Sequence, residues 1–145
     1  MLALAYCREQ TGDLAGAQEA ARDVLKRSPE NASALNFLGY LMADHHQNLG
    51  EAMQLIQRAV DQEPDNGAYI DSLGWIYYRL GRLADARVQL ERAVHLTNGD
   101  PVVHEHLGDV YKDLRLFDLA RQEYQRSLDQ DGSNGRVRSK LAEIR

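Results

Sequence analysis

Three observations predict an all-α fold built from repeated helical hairpins: a fixed period, apolar residues at helical spacing, and small residues at one register. The pairs Leu4-Ala5, Leu38-Gly39, Leu73-Gly74, Leu107-Gly108 and Leu141-Ala142 follow one another at 34, 35, 34 and 34 residues. A second series, Ala17, Ala52, Ala86 and Ala120, advances by 35, 34 and 34. Leu38 to Ala52 is 14 residues where the corresponding pairs are 13 apart, which places one inserted residue within 44–48, between two helices. An insertion in a connecting segment costs little. Self-similarity at a fixed period of this size marks a repeat architecture.

Each unit reads as two helices. Tyr69, Leu73, Ile76 and Tyr77, and one period later Val103, Leu107, Val110 and Tyr111, recur at helical spacing. Gly12 and Gly81 stand where a helix should stop. A second helix follows, as in Leu83, Ala86, Leu90, Ala93 and Val94. Between units lie the turn clusters Ser28-Pro29-Glu30-Asn31 and Pro64-Asp65-Asn66-Gly67, and Asp100-Pro101 sets a capping acid before a proline at the first helical position. Gly39, Gly74 and Gly108, opposite Ala52, Ala86 and Ala120, suit a pair of helices packed at close range. Glycine inside a helix costs about 1 kcal/mol relative to alanine, so close packing must offset it. The units are predicted at 1–31, 32–66, 67–100 and 101–134, with a last helix at 135–145. That helix reads equally as a cap and as the first helix of a fifth unit. Val137, Leu141 and Ile144 take its core positions, and Arg136, Arg138, Lys140 and Arg145 are expected on its solvated outside.

Leu73-Gly74-x-x-Tyr77, with Gly81, Ala86, Leu90 and Ala93, resembles the tetratricopeptide repeat (TPR) motif, and Leu107-Gly108-x-x-Tyr111 with Ala120 and Tyr124 repeats it. Departures are Ile70 and His104 for the bulky first position, Met42 and Arg8 for the tyrosine, and Arg115 for the glycine. The stretch 36–93 is similar to units of large bacterial multi-TPR proteins, exported lipoproteins among them. The resemblance implies a right-handed superhelical solenoid whose first helices line a concave face.

On that geometry the inward stripe is Tyr6 (with Leu2), then Asn36 and Tyr40, then Asp71, Trp75 and Tyr78, then Glu105, Asp109 and Lys112. One end is aromatic and the other acidic. Tyrosine and tryptophan dominate interface hot spots, so the stripe is expected to bind a peptide or protein segment with apolar anchors and Lys or Arg. The competing reading is that these aromatics only stack between neighbouring first helices. TPR domains that grip the carboxylates of heat-shock chaperone tails use Lys, Asn and Arg at these places. Here Leu2, Tyr6, Phe37, Ser72 and Trp75 stand there, so that clamp is not expected.

Composition narrows the function classes. A net charge of −5 disfavours a nucleic-acid partner, and no apolar run approaches the roughly 20 residues needed to span a bilayer. Met1 to Cys7 lacks a basic leader and has Tyr6 where a small residue should precede the cysteine, so it is not read as a lipoprotein signal. Cys7 shares the register of Leu41, Ile76 and Val110 and is expected in the core. His104 is expected in the core and His106 toward the groove; neither has a nucleophile beside it. His45-His46 has no third ligand nearby, and no glycine loop suits a phosphate. No catalytic residue, metal or cofactor is therefore predicted. A binding adaptor is the leading reading. The alternatives are a self-associating array and a non-catalytic domain of a larger protein, and the compartment is not legible.

Overall fold

The computed structural model describes residues 2–144. Among these, nine helices follow one another with no strand: α1 (Ala3–Gln10), α2 (Leu14–Arg27), α3 (Ala32–Asp44), α4 (Leu49–Gln62), α5 (Gly67–Arg79), α6 (Leu83–Leu96), α7 (Pro101–Asp113), α8 (Phe117–Gln130) and α9 (Gly135–Glu143). They pair as antiparallel hairpins α1–α2, α3–α4, α5–α6 and α7–α8, and each hairpin leans on the next. The result is an α-α solenoid ending in α9. First helices are capped at the same place in each unit: the side chains of Asn31, Asn66, Asp100 and Asn134 accept backbone N–H groups of α3, α5, α7 and α9.

Turns inside the hairpins obey one rule. Gly12 and Gly81 adopt φ of +81° and +79°, and Arg115 holds the same place at +63°. The inserted residue lies in the 45–48 turn, where His46 and Asn48 both have positive φ. On the outer side Arg58 donates to the carbonyl of Pro29, and Arg92, one period on, to that of Pro64.

The glycine register does what the sequence suggested, but against a different neighbour. A Cβ added at Gly39, Gly74 or Gly108 would meet Ile56, Leu90 or Tyr124 at 2.7, 2.5 and 2.5 Å. The expected alanines lie one turn earlier, and the carbonyl oxygen of Ala52 is among the nearest atoms at Gly39. The glycines therefore make room for a large side chain of the second helix.

Two apolar blocks form the core. One runs from α1 through α5 and takes in Ala93 of α6 and Val103 of α7, the other is built from α6 to α9, and Tyr77, Tyr78 and Val94 touch both. Cys7 is a correction: it is exposed, as is Leu4 at its neighbouring core position. Leu41, Ile76 and Val110 are buried where α2, α4 and α6 lie against α3, α5 and α7. Among the described residues no helix covers the corresponding side of α1.

Gly74→Ala should destabilise the protein by roughly 1–3 kcal/mol, because overpacking against the fully buried Leu90 outweighs the gain in helix propensity. Urea unfolding followed by circular dichroism measures it. Arg115→Gly should stabilise by about 1 kcal/mol, since it removes a side chain from a left-handed backbone position; a lowered midpoint in the same experiment would contradict this.

A candidate peptide-binding groove

The first helices α3, α5 and α7 stand side by side, and their inward residues are tied by contacts between successive repeats. In three of the units the residue just before the register leucine reaches back to the previous first helix. Phe37 meets Tyr6 edge to face with centroids 4.8 Å apart. His106 bonds Asp71 through Nδ1 at 2.8 Å and stacks on Trp75 at 4.0 Å. Lys140 donates to Glu105 at 2.7 Å and to Asp109 at 3.0 Å. Ser72 is too short for the role and bonds Ala68 of its own helix, while the enclosed Oδ1 of Asn36 on α3 has no partner.

Around His106 this becomes a network across three repeats. Its Nε2 lies 3.3 Å from the Tyr40 hydroxyl. Trp75 donates through Nε1 to Asp44 at 3.2 Å and stacks with Tyr78 at 4.9 Å. His106 is only 5% exposed. Burial opposes its charge, yet the carboxylate of Asp71, helped by Asp109 and Glu105, holds its pKa above the ordinary histidine value. His104, as expected, is buried, and it bonds Glu123 of α8 at 2.5 Å.

The acidic end of the stripe is not open. Arg136 grips Glu105 with two bonds of 2.7 Å, Lys140 bridges Glu105 and Asp109, and Tyr124 donates to Asp109 at 2.6 Å. Burial would raise the Glu105 pKa, but Arg136 and Lys140 overcome it and hold it at about 2. The expectation that Lys140 solvates the outside of α9 is thus corrected, because the buried carboxylates on α7 draw it inward, while Arg136 stays mostly exposed and lays its guanidinium on Glu105. Arg145 lies outside the described residues.

A cleft of 420 Å³ opens on this face, bordered by Tyr40, Trp75, Glu105 and Asp109 of the predicted stripe. Glu9, Asp44, Val102, His106, Arg136 and Lys140 complete its wall. Other stripe residues stand apart from it. Tyr6 is 48% exposed, Tyr78 is half-buried against Trp75, Asp71 is buried under His106, and Lys112 approaches Glu143 at 3.6 Å. Sequence reasoning missed Arg136 and Lys140 in the wall. The signal was available: His106 and Lys140 follow Asp71 and Glu105 by the same 35 residues.

Tetratricopeptide-repeat family models match residues 2–67, 45–110 and 103–134. The chain belongs to the tetratricopeptide repeat family. A TPR repeat-containing protein of Pseudomonas aeruginosa is 46% identical over 101 residues, 70% of this chain. The match spans only 17% of that relative's length. A thermophilic TPR protein of Thermus thermophilus superposes with a TM-score of 0.81 at 20% identity, covering 97% of this chain and 77% of its own. The first TPR of RPAP3, solved bound to an HSP90 peptide, superposes at 0.71 with 22% identity over 78% of this chain and 89% of its own. At such identities these structures speak for the TPR fold alone. Among the described residues no helix is long and apolar enough to cross a membrane.

The raised pKa of His106 gives a signed prediction. Its stabilising contribution is fully present below the unfolded histidine value near 6.5 and is lost as pH rises through the higher folded value. Urea midpoints should therefore fall through that window in the native protein and stay flatter in His106→Gln. Glu105→Gln should loosen α9 by on the order of 2 kcal/mol, discounted for the exposure of Arg136. Amide exchange at Val137–Leu141 should quicken at least tenfold while α3–α6 stay unchanged.

Proposed function

We propose that this TPR array is a non-catalytic adaptor that holds a peptide or protein segment in its concave cleft. TPR repeats typically serve protein–protein interaction, and the cleft is the observation that carries the reading here. It is a concave space of 420 Å³ spanning residues from α1 to α9, with Tyr40 and Trp75 beside charged groups of both signs. Aromatic surface with a polar rim is the usual anatomy of a recognition patch. The networks that fix Trp75, His106 and Glu105 also hold the wall in shape before any partner arrives, which reduces the ordering cost of binding.

Trp75 is 7% exposed and packed on His106, so its truncation would disturb the fold together with the cleft. A cleaner test uses photo-crosslinking residues at exposed positions. Val102, on the cleft wall, is 44% exposed, and Val88, on a second helix, is 61% exposed. In a lysate of the native source, the probe at 102 should capture a partner that the probe at 88 does not. Equal capture from both positions, or none from 102, contradicts the groove reading.

A further inference from the structure

The two ends of the cleft differ in how their charges are matched. At the α7–α9 end, Glu105 and Asp109 face Arg136 and Lys140, two against two. At the α1–α3 end, Glu9 and Asp44 also border the cleft. Among the described residues neither carboxylate has a cation within 4.0 Å, since no ion pair includes them. The nearby arginines bind main-chain carbonyls instead. Arg79 donates to the carbonyls of Ala43 and Asp44 and lies over the Trp75 ring, and Arg8 donates to the carbonyl of Gly16.

We propose that this end of the cleft is a subsite for a basic side chain, a Lys or Arg carried by the bound segment, with its charge between Glu9 and Asp44 and its alkyl stem against Tyr40. The inference rests on the groove reading and names the chemistry the groove selects. Charge complementarity carries it, and the molecule contains its own precedent: Lys140 seats across two first-helix carboxylates at the other end of the same cleft. Asp44 is already oriented, because Trp75 Nε1 holds its Oδ1 and leaves Oδ2 uncommitted. The Tyr40 hydroxyl registers the local field: burial first, then the carboxylates of Asp71, Asp44, Glu105 and Glu9, push its pKa far above the ordinary phenol value. A partly enclosed site of low effective dielectric strengthens such an attraction relative to open water.

Randomised heptapeptides with one fixed central residue, Lys, Arg, norleucine or Glu, provide the test. Binding is read from the fluorescence of Trp75, the only tryptophan in the chain, and by anisotropy of labelled peptide. Pools with central Lys or Arg should bind at least tenfold tighter than the norleucine pool, and the Glu pool should bind weakest. In Glu9→Gln/Asp44→Asn, which keeps both shapes and an acceptor for Trp75, the Lys and Arg pools should drop to the norleucine level. Helicity should not change. A norleucine pool that equals the Lys pool, or a preference that survives the double variant, overturns the subsite while leaving the groove standing. If no pool binds to either protein, the subsite fails, and the crosslink at 102 then separately decides the groove.

Discussion

The close approach of the two helices within each hairpin is the constraint on which the rest is built. At Gly39, Gly74 and Gly108 the backbone of a first helix lies directly against Ile56, Leu90 and Tyr124 of its second helix. No Cβ fits there, so the interaxial distance is set by a side chain meeting a bare backbone, and it is set alike in three successive hairpins. Similar hairpins stacked by a similar step bring their first helices side by side, which is what creates a continuous concave face.

Along that face the repeats are joined by one structural theme in changing chemistry. The residue before the register leucine contacts the preceding first helix as an aromatic at Phe37, as an imidazole at His106 and as an ammonium at Lys140. Apolar and aromatic contacts need only shape. The charged ones need every lone pair answered, because an unpaired buried carboxylate costs several kcal/mol. Glu105 and Asp109 meet that demand through Arg136, Lys140 and Tyr124. The same groups leave the cleft matched in charge at one end and acidic at the other, and selectivity for a partner would arise from that difference.

Much of this was legible in the chain itself. The turn clusters at 28–31 and 64–67, the cap at Asp100 and the turn glycines mark the helix boundaries because they are local, each depending on residues within a few positions of one another, and the 34–35-residue period repeats them along the chain. Leu73, Ile76, Leu107 and Val110 were correctly placed inside for the same reason. Cys7 was misplaced because register alone does not say whether a neighbouring helix covers that register. The glycines were matched to the wrong partner because the packing offset between two helices, one turn here, is not written in either helix alone.

The sequence by itself determined that the chain forms repeated helical hairpins, since helical spacing, turns and caps act over short distances, and the Leu73-Gly74-x-x-Tyr77 motif carried the resemblance to the TPR family. Only the tertiary structure decided which inward residues remain available. Asp71, Glu105 and Asp109 look in the sequence like an open acidic row, but residues roughly one period further along the chain reach them first. Their pairing depends on side chains 31–35 positions apart meeting across neighbouring helices. That distance in space is set by how the hairpins stack.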